Sequence, residues 1–544
     1  MADDKSKDTF VSPGLEHASS TDPIQAQDEK IEYYSQEGLE GVEDVELYNK
    51  GGFHPVHLGD VLDERFEVVH KLGHGGFAIV WLCYDTKKLC WRAVKIMTAE
   101  HSSQGNDSKI FELLKRDASF KQLEDNHIAV PLEQFWIDGP NGRHLCFVSE
   151  VFGWNVWTWS LHQNPLEDKT NIITNDACRQ ITKGLHFLHS KGICHGDLRP
   201  LNILMKLQGL DKFDKSQVLQ LIGEPEFADI ETVSGEDPYP HAPKHCVIDM
   251  STHWCESLSS DSIVIIDFGE AFDVKNPPET TGIPSLYAAP EVLFEGVPGF
   301  ASDIWSLACT FYEVKTHREL FGSLWGSDIG KIMAEMARYL GPVPQSYRSI
   351  YRKQLDAAYG RKSKDSDGSA DNTKASATSQ PRIASRPNEF EISLGRERQY
   401  HREVPNSEHL PHNEQVETFK YHYPQDDVKM LSDLLSKMLK YNPSERITIG
   451  EVFYHPWIGG LPLYLTLYGS FKKAPSGIYL LGLSISLLLA IILSWILGPH
   501  KEPSPIPTTI FKFQYGERIS QMMTGWLVPL RCVCELTKGT AGAA

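Results

Sequence analysis

The chain is predicted to fold as an α+β protein of two lobes, a strand-rich unit followed by a helix-rich one, with an apolar helix near its C-terminus. Three observations predict it. The stretches RFEVVHKLGHGGFAIVWLCYD and CWRAVKIM are β-branched and aromatic runs broken by a glycine turn. From Ala177 onward apolar residues recur at helical spacing. Residues 478–497 contain no charge at all. The length of 544 residues leaves room for several domains, and 41% hydrophobic with 23% charged residues is the composition of a globular chain. A net charge of −19 repels phosphate backbones, and no local basic patch offsets it, so direct nucleic-acid binding is not expected.

Taken in order, residues 1–57 are acidic and without periodicity, and read as a flexible arm. Residues 58–153 form the strand-rich lobe: strand, glycine loop, strand, strand, and later HLCFVSEV as a further strand. Residues 154–458 form the helix-rich lobe. Its first long helix carries Ala177, Ile181, Leu185 and Leu188 on one face and stops at Gly192, leading directly into ICHGDLRPLNIL. SIVIIDFG is a short buried strand ending at Asp267, and SDIWSLACTFYEV and DDVKMLSDLLSKMLKY are helices. Two inserts interrupt this lobe, an acidic irregular one at about 209–261 and a flexible one at about 360–414.

A linker, 459–477, precedes IYLLGLSISLLLAIILSWIL at 478–497, and a tail, 498–544, follows it. Twenty apolar or hydroxyl residues at ~1.5 Å rise match a bilayer's hydrocarbon core, so this helix is expected to span a membrane once. Lys472 and Lys473 put the preceding part of the chain on the cytoplasmic side. The alternative is a buried helix in a protein of the cytoplasm or nucleus. The N-terminus has no secretory signal, and ten scattered cysteines without metal-ligand spacing fit a reduced, intracellular setting.

The chemistry lies in four signals. Gly73, Gly75 and Gly76, between two strands, let backbone N–H groups approach phosphate oxygens. Lys95, on the third strand, offers a point charge to α and β phosphates. In HGDLRPLN, Asp197 can accept a hydroxyl proton, while Asn202 and the carboxylate of Asp267 in IIDFG can ligate Mg²⁺. Each signal alone has a bland explanation as hairpin, exposed strand lysine or turn. Their occurrence in this order does not.

Over about residues 60–458 the chain thus resembles a eukaryotic protein kinase, with the bilobal protein-kinase-like fold that this implies. Within that superfamily it resembles the serine/arginine-protein kinases (SRPK), in a divergent form. GGFHPVHLGDVLDERFEVVHKLGHGGFAIVWLCYD, GPNGRHLCFVSEVFG and the insert between HGDLRPLN and DFG carry this likeness. The resemblance implies ATP and Mg²⁺ as cofactors, Asp197, Lys95 and Arg199 as catalytic residues, and Asn202 and Asp267 as metal ligands. It assigns Leu72, Gly73, His74, Gly75, Gly76, Phe77, Val80, Ala93, Lys95 and Leu204 to the nucleotide site, with Ser149 as gatekeeper and Glu150 and Phe152 at the hinge. It also implies an ion pair between Glu291 of the Ala-Pro-Glu motif and Arg446, a bracing role for Asp303, and a turn at Gly269.

Three positions depart from the family pattern. Ala78 replaces the third loop glycine. The helix glutamate that should pair with Lys95 is assigned to Glu112, two residues past the aligned position at Ile110, a difference of about 200° around the helix. Gly196 replaces the arginine that contacts an activating phosphate, which implies a segment active without modification at Thr280, Thr281 or Ser285. The expected function is a serine/threonine protein kinase acting on Ser in basic, Arg-Ser-rich proteins such as splicing factors. The alternative is a membrane-tethered pseudokinase acting as a scaffold, and a small-molecule kinase is a third reading, disfavoured by the Ala-Pro-Glu, SDIW and HPW motifs.

Overall fold

The structure is a computed structural model that describes residues 31–34, 41–251, 253–322, 329–350, 352, 389–403 and 416–459. Its first lobe is a six-stranded antiparallel sheet containing β1 (Val61–Leu62), β2 (Phe66–Gly75), β3 (Ala78–Asp85), β4 (Cys90–Met97), β5 (Glu133–Gly139) and β6 (Gly142–Ser149), in the order β1-β2-β3-β4-β6-β5. Helices α1 (Ala99–Gln104), α2 (Asp107–Asp117) and α3 (Phe120–Asp125) intervene between β4 and β5.

Because side chains alternate across a strand, β3, β4 and β6 present two faces. Ala78, Leu82, Trp91, Met97, Leu145 and Phe147 join the core shared with α2 and the second lobe. Ile79, Trp81, Cys83, Val94, Ile96, Cys146 and Val148 point to the opposite face. That face is equally apolar and must also be covered. Its cover comes from two segments with different sequence expectations. Tyr33, Val45, Tyr48, Phe53 and Val56 of the acidic arm are buried on it, so residues 31–34 and 41–57 are a packed strap rather than a flexible arm. The first insert supplies Ala228, Ile230, Cys246 and Val247.

The second lobe contains β7 (Phe152–Asn155), α4 (Val156–Leu161), α5 (Asp168–Ser190), β8 (Ile193–Cys194) and β9 (Ile203–Leu207). It continues through α6 (Lys215–Ile222), β10 (Phe227–Asp229), β11 (His245–Val247), β12 (Ser259–Ile265), β13 (Phe272–Asp273), α7 (Pro290–Glu295), α8 (Phe300–Thr316) and α9 (Ile329–Leu340). Ala177, Ile181, Leu185 and Leu188 of α5 are fully buried, as their spacing requires, and Gly192 takes φ +78° just beyond the helix end. Each such Leu or Ile contributes about 1.5–3 kcal/mol of burial. Helix α5 packs against β12 and β8 of the short sheets β12-β9-β7 and β13-β8, beside which the candidate catalytic motifs lie, and α8 packs against α5.

The first insert is not irregular. It contains α6, capped by reciprocal bonds between Asp214 and Gln217, and the β10-β11 ribbon. Of the second insert, 389–403 is described. Phe390 is buried with its ring stacked 5.0 Å from Tyr339, and strand β14 (Arg398–Glu403) pairs with β15 (Val416–Tyr421). Among the described residues no helix is long and apolar enough to cross a membrane, and the 478–497 run lies outside them, as do the linker and tail.

Candidate active site

The glycine loop joins β2 to β3. A Cβ on Gly73, Gly75 or Gly76 would meet no atom within 4 Å, so nothing in the protein's own packing requires glycine there, and the space suits a phosphate chain. Phe77 at the tip is exposed, its ring 4.1 Å from His101. His74 meets Asp249 of the first insert at 2.9 Å, so the insert reaches the loop itself. Below the loop, Val80 pairs with Gly73 on one side and Lys95 on the other, and Ala93 pairs with Ser149. Leu72, Val80 and Leu204 are half-buried and Ala93 is buried, apolar surfaces that suit a purine. Ser149 donates its hydroxyl to the Glu150 carbonyl at 3.0 Å, and Phe152 opens β7 just beyond.

Lys95 extends from the middle of β4 and donates to Asp267 Oδ1 at 3.0 Å. Burial would depress its ammonium, but Asp267 and then Asp107 outweigh it and raise its pKa. In return Lys95 holds the Asp267 carboxyl below the usual carboxylate range, against burial. Asp267 sits at φ +62°, an uncommon conformation for an aspartate and typical of the strain found at functional sites. Its neighbour Phe268 is fully buried between Phe111 of α2, 5.7 Å away, and His195, 5.3 Å away.

Across from this lies the loop 195–202. Asn202 donates to the Asp197 carbonyl at 2.9 Å and to Asp197 Oδ2 at 2.8 Å, and Arg199 Nε donates to the same Oδ2 at 3.1 Å. With its N–H spent, Asn202 has a carbonyl oxygen to offer a cation. Burial pushes the Asp197 carboxyl up against the influence of Arg199 and His195, and its Oδ1 is buried without a hydrogen-bond partner. An orphaned carboxylate oxygen at this position suits a substrate hydroxyl.

The loop is fixed from beneath. Asp303 of α8 accepts from the backbone amides of His195 and Gly196 at 2.8 and 3.0 Å and meets His189 Nε2 at 2.9 Å. Burial would raise this carboxyl, yet His189 and these contacts hold it low. Glu291 of α7 accepts both Arg446 Nη atoms at 2.5 and 2.6 Å. Gly196 has φ +77°, and a Cβ on it would lie 2.2 Å from the Glu270 carbonyl oxygen, so glycine is what this close approach admits. Glu270 in turn accepts the Gly282 amide at 2.7 Å, tying the segment after Gly269 back to its start without a phosphate.

One expected residue falls outside the site. Glu112 is exposed on α2 and makes no recorded contact with Lys95. The residues of α2 that turn inward are Asp107, Ile110, Phe111 and Leu114, and the acidic one is Asp107. Sequence reasoning missed it because an aspartate in a first helical turn reads as an ordinary cap. Gly105-Asn106 just before it, a break inside the helical pattern, was the available signal.

The residues fit a nucleotide with a divalent metal. Among the described residues no three His, Cys, Asp or Glu side chains are grouped to hold an ion alone, so one held by Asn202 and Asp267 would be shared with phosphate oxygens.

The family model for the protein kinase domain matches residues 66–219 and 255–458, and the gap between them falls within the first insert. The serine/threonine-protein kinase SRPK of Physarum polycephalum is 27% identical over 458 residues, covering 78% of this chain and 92% of that one. Human SRSF protein kinase 3 is 38% identical over 171 residues, 30% of this chain and 29% of its own length. The serine/threonine-protein kinase spk-1 of Caenorhabditis briggsae is 36% identical over 172 residues, 30% of this chain and 15% of its own. The aligned part thus spans less than a third of the latter two proteins.

Proposed function

This chain belongs to the protein kinase family, and from that premise we propose that it transfers the γ-phosphoryl group of ATP to serine or threonine hydroxyls of proteins. The observation that carries the reading is Asp197: a carboxylate braced by Asn202 and Arg199, with a buried oxygen left unpartnered, in a loop anchored by Asp303. In this reading Asp197 accepts the hydrogen bond of the incoming hydroxyl and orients its oxygen for in-line attack. Lys95 holds the α and β phosphates. Arg199, beside Asp197, neutralises charge on the phosphoryl group in transfer.

Asn202 and Asp267 would hold the divalent metal, which we take to be Mg²⁺. Bound there, it supplies charge stabilisation at the phosphate oxygens. Leu72, Val80, Ala93 and Leu204 would enclose adenine, with Glu150 and Phe152 at the hinge. We assign basic, Arg-Ser-rich proteins as the substrate class. The human relative is named as an SRSF protein kinase, and a net charge of −19 favours encounter with basic partners. The run 478–497 would tether the enzyme to a membrane with the kinase domain on the cytoplasmic face. The scaffold alternative is disfavoured because Lys95, Asp197, Asn202 and Asp267 are all retained.

The test is labelled phosphate transfer from ATP to an Arg-Ser repeat peptide, with Asp267→Ala and a serine-free basic peptide as controls. Metal-dependent labelling that disappears in both controls is expected. Absence of transfer to this and to generic basic Ser/Thr peptides would refute the proposal.

A further inference from the structure

We propose that Asp249 of the first insert is a positioning residue for the nucleotide, fixing the glycine loop from outside the kinase domain by holding His74. This deepens the kinase reading and rests on it. One carboxylate bridges two side chains of β2. Asp249 Oδ2 lies 2.9 Å from His74 Nδ1, and its Oδ1 lies 3.2 Å from Lys71 Nζ. A carboxylate only accepts, so the Nδ1–H of His74 is the donor. Lys71, two residues before Gly73, is fully buried, and its ammonium also donates to Glu43 Oε2 at 2.5 Å and to the Gly41 carbonyl at 3.0 Å. Glu43 is buried in turn and accepts the Tyr48 hydroxyl at 2.5 Å. Taking such charges out of water is costly unless they are paired and hydrogen-bonded, so these groups hold one another in place and give Asp249 a fixed post.

The insert is built to deliver this carboxylate. Just after β11, three successive amides bond to three different segments. Ile248 donates to the Glu226 carbonyl at 2.9 Å, beside the β10-β11 ribbon, Asp249 to Gly41 of the strap at 2.8 Å, and Met250 to Lys71 of β2 at 3.0 Å. Gly41 takes φ +79°, and a Cβ on it would lie 3.1 Å from Ile248 Cγ2, so glycine suits this approach. Met250 is buried in the core against which Leu72 packs. On the other side of the loop, the Phe77 carbonyl accepts the Thr98 amide at 2.9 Å. The loop is thus held at His74 and at Phe77, with Gly75 and Gly76 between them in open space. Glycine backbone has the most freedom to lose on ordering, so a tie that holds the loop in place lowers the ordering cost of nucleotide binding. Gly41, Glu43 and Asp249 all lie outside residues 66–219 and 255–458, so the tie comes from this chain's additions to the kinase domain.

The experiment compares the full chain with Asp249→Ala, Asp249→Asn, His74→Ala and the double variant Asp249→Ala with His74→Ala. It measures ATP affinity by displacement of a fluorescent ATP analogue with Mg²⁺, kcat and KM for ATP on the Arg-Ser peptide, hydrogen exchange of the loop amides, and the thermal unfolding midpoint. Asp249→Ala is expected to weaken ATP binding and raise KM for ATP by about fivefold, with kcat within about twofold and faster exchange in the loop. Asp249→Asn, which can still accept from the ring, should recover part of the loss. The double variant should be no worse than either single, because both break one tie. Val56→Ala, which opens a cavity in the strap's packing away from the loop, is the stability control. ATP binding unchanged or tighter in Asp249→Ala, losses that add in the double variant, or an equal loss in Val56→Ala would overturn the assignment. If Asp249→Ala unfolds early, His74→Ala decides, since it leaves Lys71, Glu43 and Asp249 paired: faster loop exchange and weaker ATP binding are expected, and unchanged exchange would overturn the tie. A parent that binds ATP but transfers no phosphate defeats the kinase reading, while the affinity and exchange comparisons still decide the role of Asp249; a parent that binds no ATP defeats both.

Discussion

Replacing Glu291 with glutamine tests how the second lobe is held around its catalytic segment. Glu291 and Arg446 are a buried pair, their side chains 5% and 0% exposed, joined by two short bonds. Arg446 also donates to the carbonyls of Ala301 at 2.9 Å and Lys440 at 2.9 Å, and its guanidinium stacks 5.1 Å from Trp305. Glu291→Gln therefore leaves a cation locked among carbonyls and an indole with no counter-charge. Removing one partner of such a pair costs about 3–5 kcal/mol, because the survivor stays desolvated. Spread over a urea transition of this size, that is a fall in midpoint of roughly 1–2 M. The paired replacement Glu291→Met with Arg446→Met removes both charges and should be far less damaging than the sum of the single changes. A Glu291→Gln variant within about 1 kcal/mol of the parent, or an additive double variant, would refute the reasoning.

Three further outcomes are expected. Ser149→Phe should fill the space beside Ala93 and reduce inhibition by bulky adenine analogues at least about tenfold, while leaving ATP use intact; unchanged sensitivity would sink the gatekeeper assignment. Joint Thr280→Ala, Thr281→Ala and Ser285→Ala replacement should keep peptide phosphorylation, because Glu270 rather than a phosphate secures Gly282; an inert triple variant would refute this. His54, His127 and His317 are each pulled down to about 4 by burial and stay neutral in the folded chain. The unfolded chain binds protons at these sites once the pH drops below about 6.5, so stability present above that value should fall steadily toward pH 4. Denaturation midpoints that stay flat across that window would contradict the burial of these rings.

How much was legible follows from what each residue has to do. Ala177, Ile181, Leu185 and Leu188 repeat one local rule, and Gly192 ends it, so α5 could be read directly. Asp197, Asn202 and Asp267 could be picked out as candidates because the chemistry proposed for them fixes both type and order along the chain. The sheet's second face was written in β3 and β4 as well, where consecutive rather than alternating positions are apolar, which signals burial on both sides. What periodicity cannot say is which distant segment provides the cover. Tyr33, Tyr48 and Phe53 sit in an acidic arm whose average composition hides them, and Cys246 and Val247 come from an insert far along the chain from the strands they cover. The same separation hid Asp107. Its neighbours Asp267 and Gly269 lie just beyond β12, so its surroundings depend on a register that α2 acquires only once Gly105 breaks the helix. Local rules thus identify residues whose function is carried by their own motif, whereas positioning residues belong to the contact and become visible with the fold.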